Sequence, residues 1–78
     1  MIEIKVYANL RKEFGIDKGF TLKYDNKGKS LTVKELLDKY NVSPDKIAII
    51  LINGKNANLQ SLTNDGDRVA FFSPVAGG

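Results

Sequence analysis

The sequence contains no cysteine and no histidine, and these absences exclude most kinds of catalytic site within the chain. Without cysteine there is neither a disulfide nor a thiol nucleophile. Without histidine there is no Ser-His or Cys-His pair, and a structural zinc site lacks its usual ligands. If the chain takes part in a reaction, we therefore expect it to act as a substrate, a carrier or a subunit.

Long hydrophobic runs are also missing. The longest, residues 47–52, has the length of a strand, and the opening MIEIKVYANL contains neither a signal-peptide core nor a membrane span. We therefore expect a cytoplasmic protein without a membrane partner. The excess of positive charge is also small, because the sequence has 12 Lys and Arg and 9 Asp and Glu, which gives a formal net charge of +3. So small a bias is weak support for nucleic-acid binding, and no nucleic-acid partner is expected.

What the sequence does contain is a set of short β patterns. Apolar and polar residues alternate over residues 2–7 and 20–24, a β-branched run covers residues 47–52, and residues 68–72 form a mainly apolar run with Val69 and Phe71 on one side and Ala70 and Phe72 on the other. These patterns predict strands. Asn53-Gly54 is a strong hairpin signal, and Pro74 ends the last strand because proline cannot donate to a strand ladder.

A helix is expected in the middle of the chain. Thr32 and Glu35 have the spacing of a capping box, which makes Thr32 the predicted N-cap. Asn41 tolerates the left-handed conformation that ends a helix, and Pro44 stops the helix from continuing. The apolar positions lie on one side only, which predicts packing against a sheet face. They are Val33, Leu36, Leu37 and Tyr40.

The element order predicts an α+β fold of the β-grasp, ubiquitin-like type. We expect a mixed sheet of about four or five strands, one main helix on one face, and a first strand beside the last. One domain of residues 1–74 would be followed by a flexible tail, residues 75–78, which has no periodicity and no cap. The predicted core consists of Val6, Leu22, Val33, Leu36, Leu37, Ile50, Val69 and Phe71.

The tail ends in Gly77-Gly78. Two residues without Cβ atoms can pass through a channel that is too narrow for others, and residues 75–78 can reach roughly 13 Å when extended. Because glycine makes up about 7% of residues, a terminal pair arises by chance at about 0.5%. The Gly78 carboxylate becomes reactive as an acyl-adenylate, which needs a partner enzyme, since the sequence has no Gly-rich phosphate loop.

Both ends of the chain resemble one family. LTNDGDRVAFFSPVAGG (residues 62–78) is similar to the C-terminus of the small subunit of molybdopterin synthase, the MoaD type, and less closely to the ThiS-type sulfur carrier of thiamine biosynthesis. VYANLRKEFG (residues 6–15) resembles the N-terminus of these ubiquitin-like sulfur carriers.

The resemblance implies that Gly78 is adenylated and then thiocarboxylated, with Gly77, Ala76 and Val75 forming the tail that enters a partner. An E1-like adenylyltransferase would use ATP and Mg to activate the tail, a sulfurtransferase would supply the sulfur, and the molybdopterin synthase large subunit would be the site of its delivery. The chain itself would hold no cofactor and no metal. The finished cofactor would contain molybdenum or tungsten.

Strand parity predicts a second site. If Ile4 and Val6 point toward the helix, Tyr7 points away from it, and if Phe71 points inward, Phe72 points outward. Since the first and last strands are expected to be neighbours, Tyr7 and Phe72 should lie close together. Exposed aromatic residues can be incidental, but the resemblance implies that both contact the partner protein.

Alternatives to the molybdopterin pathway remain open at this stage. A thiamine-pathway carrier has the same tail but normally lacks the aromatic-Pro run before it. A ubiquitin-like modifier, joined through Gly78 to lysines of other proteins, shares the chemistry up to the adenylate. A plain β-grasp binding module would not require free terminal glycines.

Overall fold

The computed structural model describes residues 1–7 and 10–74. The elements in chain order are β1 (Ile2–Val6), α1 (Leu10–Glu13), β2 (Thr21–Tyr24), β3 (Leu31–Thr32), α2 (Val33–Lys39), a 3-10 helix (Pro44–Lys46), β4 (Ile49–Ile52), β5 (Lys55–Ala57), β6 (Leu62–Thr63) and β7 (Arg68–Phe72). Within the described residues, five strands form a mixed sheet in the order β2-β1-β7-β4-β5, and β3 pairs with β6. No helix in this part of the chain is long and apolar enough to cross a membrane.

The sheet has the predicted β-grasp arrangement. β1 and β7 lie side by side and run parallel, whereas β2, β4 and β5 join their neighbours antiparallel. The main helix α2 begins where the sequence predicts it. Thr32 Oγ1 accepts a hydrogen bond from the Glu35 N–H at 3.1 Å, and Glu35 Oε1 accepts one from the Thr32 N–H at 2.8 Å, which completes the capping box. Asn41 is left-handed (φ 56°) just after the helix, as expected.

One core joins α2 to the sheet. All predicted core residues are buried except Leu22, which is partly buried against the core. Leu22 is less enclosed because β2 is an edge strand. The core also contains residues that the strand and helix patterns did not include, because they belong to α1 and the connections. These residues are Leu10, Phe14, Ile16 and Val42.

Two strands were predicted to begin too early in the chain. β2 begins at Thr21 and leaves Phe20 outside, because Gly19 (φ 75°) turns the chain immediately before it. β4 begins at Ile49 because the segment before it forms the 3-10 helix, in which the Ile47 N–H bonds to the Pro44 carbonyl at 3.0 Å. Proline favours the first position of such a helix, since its φ is already fixed near the helical value.

The β3–β6 pair was also not predicted. Two residues are too few to show an alternating pattern. The pair is stabilised by Thr63, which is fully buried and donates its hydroxyl hydrogen to the Leu31 carbonyl at 2.9 Å. By pairing with β3, β6 secures the chain just before α2, whose first N–H group, that of Val33, bonds to the Ser61 carbonyl at 2.9 Å.

Candidate functional site

The predicted chemical site, Val75 to Gly78, lies outside the described residues. The structure does describe the segment that leads to it. β7, the strand between β1 and β4, ends at Phe72, and Ser73 and Pro74 follow. The side chains around this end of β7 are therefore the part of the site that the structure can define.

The side chains of β2, β1, β7 and β4 that point away from α2 form a surface that we call the open face. Along β7 the burial alternates, with Val69 and Phe71 fully buried and Ala70 and Phe72 only partly so. The same alternation occurs in β1, where Glu3 and other outward residues are partly exposed. No described element covers the open face.

Tyr7 and Phe72 meet on the open face, next to the end of β7. Their rings stack with centroids 5.0 Å apart and an angle of 11° between the planes. β1 and β7 are parallel, with Val6 opposite Phe71, and this register brings Tyr7 and Phe72, the residues that follow them, together. Tyr7 remains 38% exposed. The predicted proximity of Tyr7 and Phe72 is confirmed, while their role in binding stays a prediction.

Phe20 extends this pair to a stack of three rings. Its ring centroid lies 5.9 Å from that of Tyr7. The guanidinium carbon of Arg11 lies over the Phe20 ring, 5.1 Å from the ring centroid. We call Phe20, Tyr7 and Phe72 the aromatic stack. The alternation of side-chain directions along a strand did not predict that Phe20 joins this stack, because an unbroken strand would place Phe20 on the same face as Leu22. Its position directly after Gly19 was the signal that the alternation starts later.

Ile49 continues the apolar surface on the other side of Phe72. It is opposite Phe72 in the β4–β7 register and is 50% exposed. The Ala48 N–H bonds to the Phe72 carbonyl at 2.8 Å, so this strand pair is held up to its last residue. Ile49 was predicted only as part of the β-branched strand, residues 47–52. The run Ile49–Ile52 in fact alternates between the two faces, because β4 is covered on one side only.

The opposite end of the open face is charged. Arg68 Nε lies 3.5 Å from Glu3 Oε1, and Lys5 lies between Thr21 and Ala70 in the strand registers. The Asn53 amide links the β4–β5 turn to β7, since its Oδ1 accepts a hydrogen bond from the Arg68 N–H at 3.0 Å. A shallow groove runs over this end. Its lining includes Lys5, Leu51, Asn53, Arg68 and Ala70.

Within residues 1–7 and 10–74, two groups have displaced pKa values, and both lie away from the open face. Burial raises the pKa of Tyr40, whose ring stands 5.4 Å from that of Phe14 in the core region, and a hydrogen bond from Ser43 lowers the pKa of the exposed Asp45. The open face thus has the composition of a binding surface, with aromatic residues at one end and charges at the other.

Comparison with known proteins gives a family match and structures with the same fold. The model of the ThiS family matches residues 4–78, and no curated protein matches the sequence. The structure of SAMP1 from Haloferax volcanii is similar, with 30% identity, a TM-score of 0.70 and coverage of 99% of this chain and 98% of that chain. Urm1 from Trypanosoma brucei is 21% identical with a TM-score of 0.72, covering 99% and 94% of the two chains.

A third similar structure is a complex of subunits 1 and 2 of the molybdopterin-converting factor from Helicobacter pylori. It is 22% identical, with a TM-score of 0.54 and coverage of 99% of this chain and 97% of that chain. At these identities the Trypanosoma and Helicobacter structures establish the shared fold and no more.

Proposed function

The chain belongs to the ThiS family of ubiquitin-fold sulfur carriers and modifiers, and from this premise we propose that it carries sulfur as a thiocarboxylate on Gly78 for molybdopterin synthesis. In this function the protein is the small, sulfur-donating subunit of the synthase. The observation that carries the proposal is the aromatic stack beside the end of β7, only a few residues before Gly77-Gly78.

The proposed chemistry uses the terminal carboxylate and no side chain. A carboxylate oxygen of Gly78 attacks the α-phosphate of ATP, and pyrophosphate leaves. The outer sulfur of a persulfide on the sulfurtransferase then attacks the acyl carbon, and AMP leaves with the oxygen. A thiol reductant cleaves the resulting acyl disulfide, which leaves the thiocarboxylate on Gly78 and a disulfide between the reductant and the sulfurtransferase. An E1-like adenylyltransferase binds the ATP and Mg in this proposal, because the chain has no Gly-rich phosphate loop and neither Cys nor His.

The domain's contribution is to present the tail in one orientation. Phe72 anchors the end of β7 to the partner, while β7 itself is held on both sides by β1 and β4. A tail that starts from a fixed strand has less freedom to lose than one that starts from a loop, so the reacting carbon reaches its position at lower entropic cost. In this proposal the large synthase subunit uses the same anchor. The similar Helicobacter structure is a complex of subunits 1 and 2 of the molybdopterin-converting factor, which supports a partner subunit.

The proposal is tested by intact-mass analysis of the chain after incubation with the activating enzyme of the same genome, ATP, Mg and a sulfur donor. The wild type should gain the mass difference between sulfur and oxygen at its C-terminus. Deletion of Gly78 shortens the tail by about 3.3 Å, and a misplacement of about 1 Å can cost a hundredfold, so the deleted chain should gain nothing. Gly77→Ala should react more slowly, because its methyl group narrows the fit.

A second function is favoured by one observation. The similar Haloferax protein is described as a small archaeal modifier protein, so this chain is a candidate for attachment to lysines through Gly78. Both functions begin with the acyl-adenylate of Gly78, and they differ in the final acceptor, which is a pterin precursor in one and a lysine in the other. When the thiocarboxylated chain is mixed with a large synthase subunit and a pterin precursor, its sulfur should be transferred to the precursor. If lysine conjugates form and the pterin precursor stays free of sulfur, the modifier function is correct and the molybdopterin proposal is wrong.

A further inference from the structure

The open face is graded along its strands from apolar to charged. At the end near Pro74, register places Tyr7, Phe72 and Ile49 side by side. The next outward position along each strand holds Lys5 in β1, Ala70 in β7 and Leu51 in β4. The last row contains the paired Glu3 and Arg68, with Lys23 of β2 opposite Glu3.

The charges on this face do not balance, unlike those on α2. Lys5, Lys23 and Arg68 are opposed by Glu3 alone among the outward residues of the described strands. Lys5 makes no ion pair within residues 1–7 and 10–74. On α2, by contrast, Lys34 Nζ lies 2.7 Å from Asp38 Oδ1, and Glu35 and Lys39 complete a neutral set.

Two of these cations line the shallow groove. Lys5 and Arg68 flank it, while Leu51 and Ala70 form part of its lining. Successive outward residues on a strand are about 7 Å apart, so the backbone positions of Lys5 and Arg68 lie about 7 and 13 Å from the position of Phe72, measured along the strands. A partner that takes Phe72 into an apolar pocket must therefore also face Lys5.

We propose that the open face selects a protein partner whose apolar pocket is flanked by a strip of carboxylates, placed about 7–13 Å from the pocket so that it faces Lys5 and Arg68. The proposal rests on the proposed function, in which this partner is the activating enzyme. The apolar end supplies the anchor, and the basic end sets the orientation and accelerates the encounter. Correct orientation matters here because the partner must receive the tail that follows Pro74.

The test is the association rate constant between the full chain and the activating enzyme of the same genome, measured at low and high salt. Lys5→Glu should lower that constant about tenfold at low salt, and the difference should vanish near 1 M salt, where the Debye length is about 3 Å. Lys39→Glu changes the net charge equally but lies on α2, so its rate should match that of the wild type. Thermal melts of both variants confirm that they are folded.

Equal rates for Lys5→Glu and Lys39→Glu would overturn the proposal, as would a wild-type rate that does not fall with salt. If a variant fails to fold, the salt dependence of the wild-type association rate still tests the proposal. Mass analysis in the same mixtures keeps this result separate from the proposed function. If the wild type gains sulfur but its association rate does not depend on salt, the carrier function is supported and the acidic strip on the partner is ruled out. If the wild type gains no sulfur, the carrier function itself is wrong.

Discussion

Phe71 and Phe72 are neighbours in the sequence and lie on opposite faces of the sheet. The ring of Phe71 is fully buried and stands 5.4 Å from that of Phe14 beneath α2. The ring of Phe72 is partly exposed and stacks on Tyr7. Two identical side chains on one strand are thus divided between the stability of the fold and, by our proposal, the binding of a partner.

The difference between the two faces lies in what covers them. The inner face receives side chains from α1, α2 and the connections, so each apolar residue there is enclosed from several directions. The open face has only its own strands, and its aromatic residues cover one another by stacking. An apolar residue contributes to folding in proportion to the area it buries, so the same residue type is worth much more on the inner face.

The largest effect should come from Phe71→Ala. Removing a fully buried phenylalanine costs about 3–5 kcal/mol, a large share of the stability of a small domain, so the variant should be largely unfolded or melt far below the wild type. Urea unfolding followed by circular dichroism measures the loss. The division between the faces would be broken if Phe72→Ala lowered the unfolding free energy by the same amount.

Leu36→Ala should destabilise by about 2–5 kcal/mol, because Leu36 is fully buried between α2 and the sheet. The matched control is Ile49→Ala, which removes an aliphatic side chain of equal size that is 50% exposed. We expect the control to cost about 1 kcal/mol or less. Comparable losses in the two thermal melts would show that the open face is covered in solution.

Phe72→Ala should weaken binding of the activating enzyme by about 2 kcal/mol, or about thirtyfold in Kd, as expected for an aromatic anchor. Its unfolding free energy should fall by only about 1 kcal/mol, since the stacked contact with Tyr7 is lost. Leu62→Ala is the control, because Leu62 is 58% exposed in β6, outside the open face. Unchanged affinity in the Phe72 variant, measured by calorimetric titration, would remove the aromatic stack from the binding surface.

The smallest effect sharpens the comparison from the helix side. Thr32→Ala removes one half of the capping box and should cost about 1 kcal/mol of stability while leaving the affinity for the partner unchanged. Ser43→Ala serves as a control, because Ser43 precedes the 3-10 helix without capping it and should cost less. If Thr32→Ala weakened binding at unchanged stability, α2 would belong to the interface.

The sequence by itself was sufficient for the elements with a strong local signal. Thr32 and Glu35 located the start of α2, because a capping box needs only residues within one helical turn. Asn53-Gly54 located the β4–β5 turn, where both residues take positive φ values of 51° and 81°. Alternation assigned the inward and outward sides of β1 and β7, and with them the facing of Tyr7 and Phe72.

The tertiary structure decided what depends on contacts between distant segments. Phe20 joins the aromatic stack because the chain turns at Gly19 and brings its ring to Tyr7, which the local alternation does not encode. Ile49 is exposed because no described element covers that side of β4, although its sequence context resembles that of the buried Ile50. Local patterns determine backbone conformation and facing, but exposure depends on which other segments pack against a residue, and that is fixed only when the chain has folded.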